Sequence, residues 1–448
     1  MEVFMSSIND RPLSRRTALK FGLGATAMPF LAGSLSGCQG ASTSGGGDFT
    51  FISTQFTPIE EKQRYEKILS THVKDFKIAY NSMTAGEVVT QVSAQVKANK
   101  VSIGLVGGLH GDLATLADNL EDLDTVKSQL SSAGISDDLW SLATLGGSTV
   151  KYIPWMQATY VVAAHKSTLA YLPSGADQNK LTYDQYLQWA INARKATGKA
   201  VFGFPAGPKG LYHRFFQGFL LPSFTGGQVT GFASADAITA WKYMKELWAN
   251  MNPASTNYDN LQEPMARGEV LVGWDHVARL VNAPKDKPDD WVMLPSPTGP
   301  KGQGYMLVVA GFGVPRGADL DKATKVMTSL SQLPAQAETL RQNAFFPVVK
   351  GDLPTDLPPA VSLEAKAVGA QQNASNAIIA VTPVGLGKRD GEVSQVYKDC
   401  FAQICKDGKE PAAVLGAQAK VLQGILDQAK VPCWAPDKAV AGQTCSVA

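Results

Sequence analysis

Aromatic and polar side chains follow four predicted β-strands at the points where the strands end. They are Gln55, His110, Asp112, Tyr212, Trp274 and Asp275. In parallel α/β sheets, ligands bind beyond the carboxyl ends of the strands. An aromatic ring can stack on the C–H face of a sugar, while carboxylates, amides and imidazoles hydrogen-bond to its hydroxyls. The pattern therefore predicts a carbohydrate-binding site built by these loops.

The same residues also have purely structural interpretations. Trp274 can be a core side chain, since most Trp side chains are largely buried. Asp112 and Asp275 can cap the helices that follow them, and Tyr212 can pack at a helix start. For Trp274, the position at a strand end beside two polar residues favours ligand contact.

Motifs of serine hydrolases, zinc proteases and nucleotide-binding loops are absent from the sequence, and its five histidines are scattered. We therefore predict a protein that is not an enzyme and has no catalytic residue, cofactor or metal. A secreted carbohydrate-active enzyme is the alternative class, because pairs of Asp and Glu occur in any chain of this length.

Strands and helices alternate along the chain and must position these loops. Predicted strands cover 49–53, 76–80, 101–106, 160–164, 201–204, 270–274 and 306–314. Apolar residues at helical spacing predict helices at 58–72 and 85–98 between the first three strands. This order predicts an α/β fold with a parallel sheet. After Asp321 the chain is predicted to be nearly all helical.

Length and composition are those of a globular protein with several domains. The chain has 448 residues, of which 44% are hydrophobic and 18% charged, and its formal net charge is +2. At roughly 150 residues per domain, two or three domains are expected. The lack of any basic run argues against a nucleic-acid partner. The body also lacks an apolar run of about 18 residues, so no internal membrane span is predicted.

The first 47 residues carry export signals. Arg15 and Arg16 precede a short apolar run at 21–35, which resembles a twin-arginine signal peptide. The run ends at Leu-Ser-Gly-Cys, which resembles a lipobox with Cys38 as the lipidated residue. We predict a signal peptide at 1–37 and a lipidated cysteine with a flexible tether at 38–47. A buried or disulfide-bonded Cys38 is the alternative.

Seven further segments occur in a characteristic order between residues 49 and 429. They are Ile-Pro-Trp at 153–155 with the strand at 159–166, Leu-Thr-Tyr-Asp-Gln-Tyr at 181–186, Gly-Gly at 226–227, the strand at 267–274, Leu-Pro-Ser-Pro-Thr-Gly-Pro at 294–300, Gly-Phe-Gly-Val-Pro at 311–315 and Phe-Phe-Pro-Val at 345–348. Together they resemble the family 1 extracellular solute-binding proteins of bacterial ABC importers, the class of maltose-binding protein.

The resemblance implies a two-lobed periplasmic-binding-protein fold, with a hinge of crossing segments and a helical C-terminus. Lobe one is expected at 48–157 plus 308–349, and lobe two at 158–307 plus 350–430. Such lobes close around a ligand by hinge motion. The resemblance adds three ligand-binding candidates, which are Trp155 and Gln157 near the first crossing and Arg389 before the penultimate helix.

The resemblance also implies a function. The expected protein is a monomeric receptor, exported and anchored by its lipid at the outer face of the cell membrane or in the periplasm. It captures a small solute, foremost a sugar or sugar derivative, and delivers it to a membrane permease driven by a separate ATPase. A binder of glycerol phosphodiester, peptide or polyamine on the same fold is the alternative.

Four cysteines follow Cys38, and an even number in an exported protein predicts two disulfides. They are Cys400, Cys405, Cys433 and Cys445. We expect both helix cysteines to pair with the tail at 431–448, because an α-helix separates positions five apart by about 7.5 Å of rise and about 140° of rotation. A local Cys433–Cys445 loop with a distorted Cys400–Cys405 bridge is the alternative.

Overall fold

The computed structural model describes residues 49–57, 59–386, 389–440 and 442–447. The predicted signal peptide, Cys38 and the tether lie outside these residues. Among the described helices, none has both the length and the apolar character that a membrane span requires.

The described strands form two sheets. They are β1 (Phe49–Ser53), β2 (Ile78–Ser82), β3 (Ile103–Leu109), β4 (Ile153–Ala158), β5 (Tyr160–His165), β6 (Phe202–Gly203), β7 (Val272–His276), β8 (Trp291–Leu294), β9 (Gln303–Gly313), β10 (Phe346–Pro347) and β11 (Ala377–Val381).

Helices cover the sheets and fill the C-terminal part. They are α1 (Ile59–His72), α2 (Ala85–Lys97), α3 (His110–Ala114), α4 (Asp124–Gln129), α5 (Asp137–Ala143), α6 (Tyr183–Thr197), α7 (His213–Phe215), α8 (Leu221–Thr225), α9 (Ala235–Ala249), α10 (Gln262–Ala266), α11 (Val277–Leu280), α12 (Leu320–Leu330), α13 (Leu333–Asn343), α14 (Pro359–Gln372), α15 (Asp390–Phe401) and α16 (Pro411–Ala429). One π-helical turn, Phe216–Leu220, joins α7 to α8, and another, Ala402–Lys406, continues α15.

The first sheet has the strand order β10-β4-β9-β3-β1-β2, and β11 pairs with β9. β1 lies between β2 and β3 and runs parallel to both. The predicted β-α-β-α-β start with parallel strands is therefore confirmed. β9 runs antiparallel to β3 and β4 through its second half and parallel to β11 through its first half.

The second sheet has the order β6-β7-β5-β8. The chain passes from the first sheet to the second between Ala158, which pairs with β9, and Tyr160, which pairs with β7. A small apolar cluster lies outside the main core and includes Val161, Met293 and Val361, which belong to β5, β8 and α14. The two sheets and their helices confirm the α/β fold class.

The region after Asp321 is less uniformly helical than predicted. β11 has the sequence Ala-Ile-Ile-Ala-Val, and it extends the first sheet beside β9 in register with residues 303–307. Its isoleucines and valine are β-branched, and such side chains favour extended backbone. A short strand of this kind is difficult to distinguish from one turn of a buried helix by periodicity.

The cysteine pairing corrects the prediction. Cys433 and Cys445 form a disulfide with their Cα atoms 4.5 Å apart, whereas Cys400 and Cys405 are free thiols. The expected pairing of helix cysteines with the tail is therefore wrong, and so is the oxidation of all four. The local pair forms because the tail folds back on itself within a distance that a disulfide requires.

Hydrogen bonds hold the tail in place of the expected crosslink. The carboxylate of Asp437 accepts from three consecutive backbone N–H groups, those of Gln228, Val229 and Thr230. Trp434 is buried beside it. A buried carboxylate with three charge-assisted hydrogen bonds is a strong local attachment, so the tail is ordered without a bond to α15.

Candidate functional site

A cavity of about 450 Å³ lies between the first sheet and the segments that follow β6 and β11. Its volume lies within the range of about 300–1,000 Å³ that is usual for small-molecule sites. The lining residues are Ala85, Gly86, Val89, Thr90, Ser93, Leu109, Gly111, Asp112, Thr115, Arg214, Thr382, Pro383, Leu386 and Asp390.

Helix α2 supplies one wall, and its start is set by a capping box. The Thr84 side chain accepts from the backbone N–H of Glu87, while the Glu87 carboxylate accepts from the N–H of Thr84. This reciprocal pair satisfies two backbone donors at the helix start. The first residues of α2, Ala85 and Gly86, are thereby held against the cavity, with Val89 one turn further on.

Asp112 lies in α3, which follows β3 directly, and is held by two hydrogen bonds. Its Oδ2 accepts from the Thr54 hydroxyl at 2.9 Å and from the Leu109 N–H at 3.1 Å. The Gln55 amide donates in turn to the Thr54 hydroxyl at 2.9 Å. Burial raises the pKa of Asp112, the two hydrogen bonds oppose this, and the charges of Asp390 and Arg214 act in opposite directions. The predicted pair Gln55 and Asp112 therefore forms one polar chain at this wall.

Arg214 reaches the cavity from α7. Its Nη1 atom is shielded from solvent and has no hydrogen-bond partner among the described residues. The next residue, Phe215, packs against the ring of Trp274 at 5.1 Å. Two neighbouring side chains on one short helix thus serve the cavity and the core.

The segment after β11 closes the cavity from a third side. Thr382, Pro383, Leu386 and Asp390 line it. Gly111 lies so close to this segment that an added Cβ atom would be 2.9 Å from the Pro383 carbonyl oxygen. Arg389, predicted as a ligand contact, instead donates to the Glu392 carboxylate at 3.0 Å. Its neighbour Asp390 contributes to the wall.

Trp274 and Asp275 lie in the interior of the protein. The Trp274 ring is 2% exposed and stacks on Tyr160, with centroids 4.6 Å apart and planes 8° from parallel. Asp275 accepts from the backbone N–H groups of Leu261 and His276. Burial raises the pKa of Asp275 to about 6, although Arg279 opposes this. Trp274 is therefore a core ring, as its structural interpretation has it, whereas Asp275 binds backbone amides without capping the helix that follows it.

Trp155 and Gln157 lie on β4, beside the passage between the sheets. Trp155 is 1% exposed and stacks on Phe312 with centroids 4.5 Å apart. The Gln157 amide donates to the Pro347 carbonyl at 2.8 Å and accepts from Gln372 at 3.3 Å. Both side chains therefore connect parts of the chain to one another, and neither lines the cavity.

His110 and Tyr212 are also buried. The His110 ring lies 3.0 Å from the Tyr152 hydroxyl, and burial lowers the pKa of His110 to about 4. The Tyr212 ring packs on Phe401, with the Lys398 ammonium 5.2 Å from the ring centroid. Of the nine predicted ligand contacts, Asp112 lines the cavity and Gln55 supports it through Thr54.

Sequence reasoning missed Arg214, Asp390 and the face of α2. Arg214 and Asp390 lie within two residues of the predicted Tyr212 and Arg389, so the predicted loops reach the cavity through neighbouring side chains. The face of α2 carries no distinctive signal, because small and aliphatic residues at helical spacing are typical of any packed helix.

The described lining contains three titratable side chains. Its titratable side chains are Asp112, Arg214 and Asp390, and the remainder are aliphatic, hydroxyl-bearing or small. Within the described part of the chain, no group of three or more histidine, cysteine or carboxylate side chains is placed to hold a metal ion. A guanidinium and carboxylates that line one cavity can bind polar groups of a solute by charge-assisted hydrogen bonds.

Comparison with known proteins adds the family. Residues 61–336 match the family model described as bacterial extracellular solute-binding protein. No curated protein matches the sequence.

Solved structures share the fold at low sequence identity. Maltose-bound MalE3 of T. maritima has a TM-score of 0.66 and 19% identity, covering 84% of this chain and 99% of its own. MalE of Xanthomonas citri has a TM-score of 0.67 and 16% identity, covering 85% and 98%. UgpB of Mycobacterium tuberculosis, in complex with glycerophosphocholine, has a TM-score of 0.66 and 17% identity, covering 86% of this chain and 100% of its own. These likenesses confirm the predicted two-lobed periplasmic-binding-protein fold.

Proposed function

Because the chain belongs to the family of bacterial extracellular solute-binding proteins, we propose that it captures a small solute in the cavity between Asp112 and Arg214 and delivers it to a membrane permease. The observation that supports this most strongly is the cavity itself, which joins residues of α2 and α3 to Arg214 of α7, whose Nη1 atom has no partner among the described residues. The ATPase that drives transport is a separate chain, because this sequence has no nucleotide-binding motif.

The proposed capture mechanism is closure of two lobes, 48–157 plus 308–349 and 158–307 plus 350–430. The passage from β4 to β5 and the long strand β9 connect the two sides. Asp112 belongs to the first lobe in this division, while Arg214 and Asp390 belong to the second. A solute that contacts both sides stabilises the closed arrangement, as hinge closure requires.

Two solute classes come first. Sugars are the sequence-based expectation, and two of the similar structures are described as maltose-bound or sugar-binding. UgpB was solved with glycerophosphocholine, a glycerol phosphodiester. The Arg214 side chain favours the second class here, since guanidinium groups bind phosphate oxygens in a bidentate manner.

The proposed location is the outer face of the cell membrane or the periplasm. The signal peptide predicted at 1–37 and the lipidation predicted at Cys38 support this part of the proposal, with 38–47 as the expected tether. A monomeric receptor that binds and releases its solute unchanged, and is therefore no enzyme, fits this placement.

Calorimetric titration with monosaccharides, oligosaccharides and glycerol phosphodiesters tests the receptor function. We expect one panel member to bind with one solute per chain and to be recovered unchanged by mass spectrometry. Conversion of a panel member to product would contradict the receptor function and favour the carbohydrate-active enzyme.

A further inference from the structure

Within the described structure, the charged side chains around the cavity form no hydrogen bond or ion pair with one another. Arg214 Nη1 is shielded from solvent and has no acceptor there. An unsatisfied buried donor is costly, and more so when it carries charge. The planar guanidinium matches the oxygens of a carboxylate or a phosphate. Arg214 is therefore placed for an anionic group of the solute.

Two carboxylates, those of Asp112 and Asp390, line the same cavity as Arg214. Both described donors to Asp112 bind its Oδ2 atom, which leaves Oδ1 for a solute. Asp390 lines the same cavity, and its charge adds to the effect of burial in raising the pKa of Asp112. Two carboxylates that repel each other are stabilised by a cation between them.

The rest of the described lining narrows the kind of cation. Val89, Leu109 and Leu386 are aliphatic, and the described lining residues include no aromatic ring. Quaternary ammonium groups are recognised by the faces of aromatic rings. A primary ammonium carries N–H donors and hydrogen-bonds directly to carboxylates.

We propose that the solute is a small zwitterion, whose anionic group binds Arg214 and whose primary ammonium binds Asp112 and Asp390. This inference rests on the proposed function, because it specifies the solute of the same cavity. The anionic group can be a phosphodiester or a carboxylate, since both present paired oxygens to the guanidinium.

A matched set of probes tests each part of the solute. Glycerophosphoethanolamine carries both charges, glycerol 3-phosphate only the anion and ethanolamine only the cation. Glycerophosphocholine replaces the primary ammonium by a quaternary one, γ-aminobutyrate replaces the phosphodiester by a carboxylate, and maltose is neutral. We expect one of the two zwitterions with a primary ammonium to bind at least about tenfold more tightly than the single-charge probes, glycerophosphocholine and maltose.

Substitutions in the protein test which side chain binds each charged group of the solute. Arg214→Gln is expected to weaken binding of the zwitterion by at least about tenfold and to leave the affinity for ethanolamine unchanged. Asp390→Asn is expected to weaken the binding of the zwitterion and of ethanolamine to the same extent. The same variant is expected to bind glycerol 3-phosphate at least as tightly as the parent does. Arg194→Gln removes an exposed guanidinium on α6, a helix that contributes no described lining residue, so it is the matched control and is expected to bind as the parent does. Arg214→Lys keeps the charge without the fork and provides a second variant if Arg214→Gln melts early.

The outcomes separate this inference from the proposed function. Tight binding of maltose that is unchanged in Arg214→Gln would overturn the zwitterion and uphold the receptor. Binding of no charged probe would also overturn the zwitterion. Chemical conversion of a probe would instead overturn the receptor function.

Discussion

Two neighbouring side chains of α7 lie in different surroundings, one in the core and one at the cavity. On one side, Phe215 joins the Trp274 cluster, which we define as Trp274, Tyr160, Phe204, Phe215 and Phe219, with ring centroids 4.6–6.0 Å from that of Trp274. On the other side, Arg214 lines the cavity. Both Trp274 and Arg214 have an unpartnered nitrogen among the described residues, but Trp274 Nε1 is enclosed in the core, whereas Arg214 Nη1 belongs to a side chain that lines the cavity. An unpartnered polar atom on a side chain that lines a cavity is available to a solute, whereas one enclosed among core rings is not.

The largest effect expected from this comparison is on stability, in the Trp274 cluster. Trp274→Ala is expected to lower the free energy of unfolding by about 3–5 kcal/mol, because it leaves a cavity in a packed core. Urea denaturation measures it. Arg214→Gln is the counterpart and is expected to change the free energy of unfolding little while weakening the binding of the solute. If Trp274→Ala instead kept its stability and lost solute binding, Trp274 would belong to the site.

The second effect concerns a buried carboxyl that faces no cavity. Glu364 on α14 is fully buried, and neither carboxyl oxygen has a partner among the described residues. Burial raises the pKa of Glu364 well above its ordinary value. The unfolded chain is ionised at a pH where the folded chain holds the proton, so folding takes up a proton and stability falls as the pH rises above the unfolded pKa.

Glu364→Gln removes this proton uptake. We expect it to raise the free energy of unfolding by about 1–3 kcal/mol near pH 8, and by less near pH 5. Urea denaturation at both pH values measures the difference, with the exposed Glu60→Gln as the control. An equal effect at both pH values would mean that Glu364 is ionised in the folded protein and has a partner.

The third effect sharpens the role of Asp112. Because burial raises its pKa from 3.8, protonation on acidification is expected to begin at a higher pH than for a free Asp. Binding of a cationic solute is expected to weaken severalfold as the pH falls through this range, since the carboxylate loses its charge. Asp112→Asn is expected to weaken binding at neutral pH and to flatten this dependence. Calorimetry across the pH range tests it, and an unchanged profile in Asp112→Asn would assign the dependence to another group.

The smallest effect concerns the thiols next to the Trp274 cluster. Cys400 precedes Phe401, which packs on Phe204 at 6.0 Å. Burial raises the pKa of both Cys400 and Cys405, so little thiolate forms at neutral pH. We expect iodoacetamide to label them only slowly before unfolding, with the partly exposed Cys405 first. Non-reducing peptide mapping that finds these two cysteines crosslinked would contradict the free thiols.

The sequence predicted the fold better than the site, for physical reasons. Strand and helix periodicity identified the parallel start of the first sheet, and the ordered segments identified the two-lobed fold. The surroundings of Trp274 and Trp155 were harder to predict, because a Trp at a strand end can face a solute or a core. Which of the two it faces depends on rings such as Tyr160 and Phe312, which lie elsewhere in the chain. The disulfide depended on how the tail folds back, which spacing along one helix cannot reveal.

Side-chain partners decided the remainder of the site. Arg389 and Arg214 are both arginines next to predicted loops. Glu392 pairs with Arg389, whereas Arg214 Nη1 has no described partner, and a pairing of this kind is visible only in the structure. Asp112 and His110 were both predicted from the segment that follows β3. Asp112 lines the cavity, whereas the His110 ring lies beside the Tyr152 hydroxyl.

A crystal structure of the protein loaded with its tightest-binding probe tests the central claim most directly. The account predicts the solute in the cavity between Asp112 and Arg214, with an acceptor oxygen about 3 Å from Arg214 Nη1. A solute bound elsewhere, or one stacked on an exposed aromatic ring with the cavity left empty, would contradict it.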